Sequence, residues 1–322
     1  MVRKIYKKLR TISEINNGKK ISNLIEKLEI KNGICFVDIG AAFGIHERFK
    51  KIESLLNYHG FEPDERARTD LLRIKNNCYK YTLHPNLIGE KKQDVVFNVC
   101  KGKGASSLLE PNFNFFKLFS HSARVEIVDK IKLSSSSIDE MNINDIDFIK
   151  MDIQGAELMA LKGSKKSIGK VFGMELEVEF QEIYRNQPLF GEISEFLKEK
   201  GFNFYDFVNL RRWDRKNIQY PDMGQCIFGD ALFLRSPEYM LENFKNNLNK
   251  LKKYIAICIL YKKYDAAIYL CTRIDKKLIS SCFLKKIEKL KLKSLKSKLF
   301  RMRINQFLNL ISHQNEGIFL YD

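Results

Sequence analysis

The segment Cys35-Phe36-Val37-Asp38-Ile39-Gly40-Ala41-Ala42-Phe43-Gly44 predicts a strand that ends in a tight turn. The apolar run at its start, residues 34–37, is typical of a buried parallel strand. Gly40 and Gly44 can adopt positive φ angles or let a ligand approach the backbone closely, because they lack a Cβ atom. Residues 45–58 then show a helical pattern. Strand, turn and helix in this order open a Rossmann-like, doubly wound α/β sheet.

Two acids accompany the turn, and their order indicates the kind of ligand. Asp38 precedes Gly40, and Glu62 follows Gly44 by 18 residues at the end of a second predicted strand, 59–62. A dinucleotide-binding loop has the pattern G-x-G-x-x-G and holds phosphate. S-adenosylmethionine carries a sulfonium and an ammonium group but no phosphate, so an acid at the first strand end suits it better, and Glu62 is placed to accept from its ribose hydroxyls. The alternative is that both are ordinary loop acids.

Further cofactor contacts are expected where other strands end. Residues 78–83 predict a third strand, and Asn86 and Leu87 follow it where an adenine edge would lie. Residues 94–99 predict a strand outside the main parallel set. The predicted cofactor-binding residues are Asp38, Gly40, Ala41, Gly44, Glu62, Asn86, Leu87 and Asp152.

A second segment, Phe148-Ile149-Lys150-Met151-Asp152-Ile153-Gln154-Gly155-Ala156-Glu157, again predicts a strand with an acid at its end. The carboxyl ends of parallel strands face the ligand crevice, so Asp152 and Glu157 are expected opposite the acid of the first strand. The next predicted strand carries acids at alternate positions. Burying three acids in line is costly, so we expect at least one of them, Glu177 or Glu179, at the crevice.

The charge, the apolar runs and the cysteines of the chain indicate in which cellular compartment the protein is expected. The chain has 322 residues and a net charge of +17, of which residues 237–322 carry +11, with 18 Lys and Arg against 7 Asp and Glu. No apolar run approaches the roughly 18 residues that a membrane span needs. Seven scattered cysteines without a C-x-x-C pair indicate reduced thiols, so we expect a cytoplasmic protein.

The basic tail predicts helices over residues 239–251, 256–268 and 284–299. Residues 285–303 carry nine Lys and Arg and one acid, and they overlap an apolar stripe made of Leu284, Ile287, Leu292, Leu295, Leu299 and Met302. Two interpretations stay open. The stripe packs within the protein with its lysines in solvent, or it lies on an anionic membrane surface, which would make the protein peripheral at the inner face of the membrane.

Four motifs together resemble the FkbM-type family of S-adenosylmethionine-dependent methyltransferases: residues 37–41, 61–63, 106–108 and 148–158. The last is the most specific, because the family pattern is close to K-x-D-[VI]-[EQ]-G-[AY]-E. Residues 229–235 resemble the closing strand of the family, and Ala42-Phe43 departs from its usual residues. The resemblance covers roughly residues 30–236. It implies a seven-stranded methyltransferase sheet with an antiparallel last strand, and methyl transfer to a hydroxyl.

Methyl transfer to a hydroxyl requires alignment with the methyl group and a base that takes the hydroxyl proton. The candidate catalytic residues are Asp152, Glu157, Glu177 and His46. Asp152 can instead serve the cofactor. His46 is expected at the start of the first helix, where the helix end disfavours its charged form, and can instead be an ordinary surface residue.

Substrate contacts are predicted from Ser106, Ser107 and Trp213. The two hydroxyls lie in a glycine-containing loop, and Trp213 lies in a predicted loop beside two arginines. Trp213 can stack on a sugar or anchor the apolar core. Acids are available for a divalent cation that would assist the acceptor hydroxyl, but no ligand spacing demands a metal.

We therefore predict an N-terminal helical lead-in (1–33), a methyltransferase domain (34–236) and a basic α-helical C-terminal extension (237–322). The predicted activity is O-methylation of a glycan, a glycolipid or a cell-surface polysaccharide intermediate. One alternative is a nucleic-acid methyltransferase, which rests on the charge of the tail alone and lacks an N-P-P-Y-type signature. The other alternative is a non-catalytic interaction module.

Overall fold

The computed structural model describes residues 18–219, 224–274 and 279–312, with side chains for all of them except residues 298 and 300–312. The strands are β1 (Ile34–Ile39), β2 (Leu56–Phe61), β3 (Lys80–His84), β4 (Leu87–Ile88), β5 (Gln93–Cys100), β6 (Ile127–Ser136), β7 (Phe148–Met151), β8 (Gly173–Glu179), β9 (Asn203–Trp213) and β10 (Gln225–Leu234). The helices are α1 (18–26), α2 (Glu47–Lys50), α3 (Glu65–Leu71), α4 (Phe113–Phe116), α5 (Glu157–Lys162), α6 (Phe190–Glu199), α7 (Pro237–Phe244), α8 (Leu248–Leu260), α9 (Tyr264–Arg273) and α10 (Ser281–Ser312).

Seven strands form the main sheet, in the order β3-β2-β1-β7-β8-β10-β9. The last strand of the chain, β10, runs antiparallel to both of its neighbours, whereas the pairs from β3 to β8 are parallel. The predicted fold class, a doubly wound seven-stranded methyltransferase-type sheet with an antiparallel last strand and C-terminal helices, is confirmed. As expected, β5 lies outside the main sheet, in a three-stranded sheet ordered β4-β6-β5.

The central strands are apolar in sequence because their residues are buried. All six residues of β1 are buried, and Val37 belongs to the same apolar cluster as Ile149 of β7 and Met174 of β8. Helix α6 contributes Ile193 and Leu197 to this cluster. Helices that cover a parallel sheet remove both faces of its strands from water, which is the largest favourable contribution to folding.

The register of the parallel strands places three strand ends at one level. Ile39, the last residue of β1, pairs with Phe61 of β2 and with Met151 of β7. The residues that follow these three strands therefore leave the sheet side by side. This arrangement positions the candidate site.

Three local predictions are wrong in their bounds, and one of them is the helix expected over 239–251, which is interrupted between α7 and α8. The helix expected over residues 45–58 is only α2, and β2 already begins at Leu56, because residues 56–61 pair with β1 on one side and largely with β3 on the other. The helix expected over 256–268 is interrupted between α8 and α9, where Lys262 has a φ of +60°. Strand β6 carries no prediction, since six of its ten residues are exposed and it contains no continuous apolar run.

The chain forms two compact units. Residues 30–253 contain both sheets, and the described part of the other unit consists of residues 18–29, 254–274 and 279–312. In this second unit Ile25, Leu270 and Ile287 are buried. Residues 1–17 of the expected lead-in and the side chain of Met302 lie outside the described residues. No described helix is both long and apolar enough to cross a membrane.

Candidate functional site

The turn after β1 joins the three strand ends. Gly40 has a φ of +83°, and the backbone N–H groups of Gly40 and Ala41 both donate to the carbonyl of Phe61, at 3.0 Å each. The N–H of Asp152 donates to the carbonyl of Ile39 at 2.9 Å. A Cβ atom at residue 40 would lie 1.9 Å from the carbonyl oxygen of Asp152. Only glycine therefore fits where these segments meet.

An open pocket lies at this edge of the sheet, with an empty volume of about 600 Å³ counted out to the solvent at its mouth. Its apolar walls include Phe43, Leu87, Phe97 and Leu108. Its polar lining comprises Glu62, Asn86, Lys103, Ser106, Ser107, Asp152 and Gln154. We call Glu62 and Asp152 the pocket acids.

Glu62 is held at the start of α3. It is only 4% exposed, and its Oε1 accepts a hydrogen bond of 2.8 Å from the N–H of Asp64. Asp64 in turn caps α3 by accepting from the N–H of Arg66. Burial raises the pKa of Glu62 to about 8, against the backbone hydrogen bond that lowers it. A hydroxyl that donated to this carboxyl would favour its ionised form.

Asp152 is the more exposed pocket acid and is held by an amide. The Nε2 group of Gln154 donates to Asp152 Oδ1 at 2.8 Å and also to the carboxylate of Glu177. The Tyr184 hydroxyl lies 2.9 Å from Gln154 Oε1 and 2.8 Å from the carbonyl of Ala105. Gln154 therefore links a pocket acid to a buried acid behind the pocket.

The acids behind the pocket form what we call the glutamate cluster: Glu157, Glu177 and Glu179. One carboxylate oxygen from each lies within 4.8 Å of the others, and all three residues are buried. Burial raises the pKa of Glu157 to about 7. Burial, with repulsion from neighbouring acids, raises the pKa values of Glu177 and Glu179 well above their usual range. None of the three lines the pocket.

Asp38 does not line the pocket either. It is the fifth residue of β1, inside the strand and not beyond its end, and it is 1% exposed. Its Oδ2 accepts from the Tyr58 hydroxyl at 2.9 Å, and its Oδ1 lies 3.6 Å from the ammonium group of Lys150. Burial raises the pKa of Asp38, while Lys150 opposes that effect.

The other predicted cofactor residues divide into two groups. Gly40, Asn86 and Leu87 line the pocket, as the pocket acids do. Ala41 and Gly44 lie in the turn beside it: the N–H of Gly44 donates to the carbonyl of Ala41 at 2.8 Å, and Gly44 has a φ of +70°. These two shape the turn instead of facing the pocket.

The two predicted substrate serines line the pocket. Ser106 Oγ accepts from the N–H of Cys100 at 3.0 Å, and Ser107 Oγ donates to the carbonyl of Gln154 at 2.8 Å. Both hydroxyls therefore already have protein partners that hold the loop. Lys103 and Phe43, which the sequence analysis did not assign, also line the pocket, and Phe43 is 76% exposed.

His46 and Trp213 lie away from the pocket lining. His46 caps α2, where its Nδ1 accepts from the N–H of Arg48 at 3.2 Å. Partial burial of the ring lowers its pKa first, and the charge of Arg48 adds to this, so the helix end is not the main cause. Trp213 ends β9 instead of lying in a loop, and its ring packs against Phe116 and Phe119.

Two positioning residues, Gln154 and Tyr184, received no role from the sequence. Gln154 stands within the motif at residues 148–158, and its left-handed backbone, with a φ of +57°, is unusual for a residue other than glycine. Tyr184 stands in a segment without a comparable signal, because its hydroxyl meets Gln154 only through tertiary packing.

A family model and two solved structures are similar to this chain. The family model described as Methyltransferase FkbM domain matches residues 38–204, slightly more than half of the chain. A solved structure of methyltransferase FkbM from Methylobacillus flagellatus KT is 18% identical over 63% of this chain and 43% of that one, with a TM-score of 0.38. The chain thus spans less than half the length of that protein.

A second solved structure is magnesium protoporphyrin IX methyltransferase from Synechocystis PCC 6803 with bound S-adenosylmethionine. It is 10% identical over 69% of this chain and 81% of that one, with a TM-score of 0.32. No curated protein sequence matches the chain. From the match of the family model, the chain belongs to the FkbM family of methyltransferases.

Proposed function

We propose that this methyltransferase uses S-adenosylmethionine to methylate a hydroxyl group of a glycan or of a glycolipid or cell-surface polysaccharide intermediate. The observation that carries the proposal is that Glu62 and Asp152 line one open pocket where parallel strands end. Strand ends of this kind are where ligands of doubly wound sheets bind. Two acids without a phosphate-binding glycine loop suit a cationic cofactor better than a dinucleotide.

The pocket residues fit this cofactor. When bound, S-adenosylmethionine supplies a methyl group on a positively charged sulfonium. Leu87, Phe97 and Leu108 offer an apolar surface for a flat base, and Glu62 offers carboxylate oxygens to ribose hydroxyls. Gly40, where a side chain would collide with the backbone of Asp152, lets the turn after β1 lie directly against the segment that carries Asp152.

Asp152 is the one residue among the four candidate catalytic residues that lines the pocket. In the proposed reaction its carboxylate would take the proton of the acceptor hydroxyl, whose oxygen would receive the methyl group that the cofactor supplies. Gln154 holds Asp152 Oδ1 and so fixes the direction of the carboxylate. A positioned base of this kind contributes about 10²–10⁴-fold to a rate.

Calorimetric titration of the full chain with S-adenosylhomocysteine, beside NAD, tests the cofactor. We expect binding of the first compound only, and about 10–100-fold weaker binding by Glu62→Gln, because hydrogen bonds to charged groups contribute about 1.5–3 kcal/mol each. Glu65→Gln, an exposed position of α3 outside the pocket, is the matched control and should bind like the wild type. Binding of NAD alone, or unchanged binding by Glu62→Gln, would contradict the proposal.

We also propose that α10 contacts an anionic membrane surface. Leu292, Leu295 and Leu299 are 58%, 47% and 58% exposed, and their spacing of three and four residues places them on one face of the helix. Lysines surround them in the sequence. Apolar and basic side chains together are typical of helices that lie at an anionic interface.

Co-sedimentation with vesicles tests this contact. The protein should bind vesicles that contain phosphatidylserine and not neutral ones, and replacing the three leucines by serine should abolish binding. Leu210→Ser is the matched control, since Leu210 is 42% exposed but lies in β9. Equal binding to both vesicle types, or none to either, would overturn the proposal.

A further inference from the structure

The glutamate cluster carries more negative charge than its surroundings balance. Glu157 is 0% exposed, Glu177 6% and Glu179 0%. Within the part of the chain that the structure describes, no lysine or arginine forms an ion pair with any of the three. Buried carboxylates without a cation are expensive, since several kcal/mol are lost for each ion removed from water.

Glu179 is the sharpest anomaly of the cluster. Both of its carboxylate oxygens are buried and have no hydrogen-bond partner among the described residues. The second oxygen of Glu157 is also buried without a partner, although its first oxygen accepts from the N–H of Ile153 at 2.8 Å. Buried polar atoms are almost always paired, so unpartnered oxygens on Glu157 and Glu179, two members of a cluster with one oxygen from each member within 4.8 Å of the others, indicate a missing ligand.

We propose that Glu157, Glu177 and Glu179 bind one divalent, oxygen-preferring cation. Two ligand atoms on opposite sides of one ion are separated by twice the metal–oxygen distance, which is about 4.2 Å for Mg²⁺ and about 4.6–5.2 Å for Ca²⁺. The three oxygens all lie within 4.8 Å of one another, an upper limit that falls in the range for Ca²⁺ and slightly above that for Mg²⁺. A set of carboxylates alone favours Mg²⁺, Mn²⁺ or Ca²⁺ over softer metals.

The ion is structural and lies outside the pocket. Gln154 stands between the cluster and the pocket, with its amide on Glu177 and on Asp152. A divalent cation there offsets two of the three negative charges of the cluster and fixes Glu177, which in turn holds the amide that orients Asp152. The site needs no cofactor, so its test is independent of the proposed function.

The experiment measures metal content and stability of the full chain. Because the cluster is sealed, the protein is analysed as purified and after refolding with Mn²⁺, with Mg²⁺ or with EDTA. We expect one manganese ion per chain after desalting, an electron paramagnetic resonance signal of immobilised Mn²⁺, and a melting temperature about 2–5 °C above that of the EDTA sample at saturating metal.

Glu179→Gln should lose the bound ion and the metal-dependent rise in melting temperature. Glu175→Gln is the matched control: Glu175 lies on the same face of β8 but is paired with Arg48, so this variant should keep the ion. If Glu179→Gln does not fold, Glu157→Gln is used in its place. The number of manganese ions bound per wild-type chain then decides whether the site binds a metal.

The rival account is that shared protons neutralise the cluster. It predicts a wild type that holds no ion under any of these conditions, and a Glu179→Gln variant that melts at or above the wild-type temperature. Either result would overturn the metal site, whatever the titration with S-adenosylhomocysteine gives.

Discussion

The pocket acids and the glutamate cluster are two groups of carboxylates at the same end of one sheet, and they differ in what surrounds them. Glu62 and Asp152 line an open pocket and are held by a backbone N–H and a side-chain amide. Glu157, Glu177 and Glu179 are sealed, and three of their oxygens have no partner in the described protein. The first group is available to an organic ligand, the second only to an ion or a proton.

A short reversal of the backbone separates the two groups. Gln154 and Gly155 have φ angles of +57° and +93°, which turn the chain back after β7. As a result Glu157, only five residues after Asp152, lies behind the pocket. There its carboxylate accepts a hydrogen bond from the N–H of Ile153. Proximity in sequence therefore does not decide which acid meets the ligand; the turn between them does.

The largest expected effect comes from disrupting the turn at Gly40, which supports the pocket acids. Gly40→Ala combines a left-handed φ with a Cβ atom 1.9 Å from a backbone oxygen, so we expect a loss of about 5 kcal/mol in the free energy of unfolding, or failure to fold. Gly169, which has no atom within 4 Å of its would-be Cβ, is the control, and Gly169→Ala should change stability by less than about 0.5 kcal/mol. Equal effects in denaturant unfolding would refute this account of the turn.

The second prediction concerns catalysis by the pocket acids. Asp152→Asn should lower kcat by about 10²–10³-fold, while affinity for S-adenosylhomocysteine stays within about threefold, because the amide keeps the shape but accepts no proton. The assay is transfer of a labelled methyl group to an acceptor found by screening glycans with the wild type. A variant with wild-type kcat would show that the base lies elsewhere.

The third and smallest effect is a pH dependence of stability caused by Glu62. Its pKa is about 8 in the folded protein against 4.5 in the unfolded chain. The contribution of Glu62 is therefore complete below pH 4.5 and is lost as the pH rises towards 8. Between about pH 5.5 and pH 7, Glu62→Gln should gain about 2 kcal/mol relative to the wild type, since one proton corresponds to about 1.4 kcal/mol per pH unit. A constant difference in urea unfolding across this range would contradict the assignment.

Sequence patterns predict the central strands and the turns after them well, because apolar runs and glycine turns follow from backbone sterics and burial. They predict strand ends, and hence the pocket positions of Gly40, Glu62, Asn86, Leu87 and Asp152. They do not show whether a side chain near the end of a strand faces the pocket or the protein interior. Asp38, with Tyr58 and Lys150 as its partners, and Glu177, behind Gln154, both depend on that information.

The same limit applies to Trp213 and Tyr184. A tryptophan beside arginines is compatible with stacking on a sugar, but in the structure the ring of Trp213 packs against Phe116 and Phe119. The role of Tyr184 arises from a contact with Gln154 that spans 30 residues of sequence. Long-range contacts of this kind leave no local pattern in a single sequence.

The most direct measurement compares Glu62→Gln with Glu179→Gln in two ways: titration with S-adenosylhomocysteine, and manganese content after refolding with Mn²⁺. The account predicts that Glu62→Gln loses affinity for S-adenosylhomocysteine by about 10–100-fold and keeps its manganese ion, whereas Glu179→Gln keeps the affinity and loses the ion. If both variants lost both ligands, or if Glu179→Gln alone lost S-adenosylhomocysteine, the division between an open cofactor pocket and a sealed ion site would be wrong.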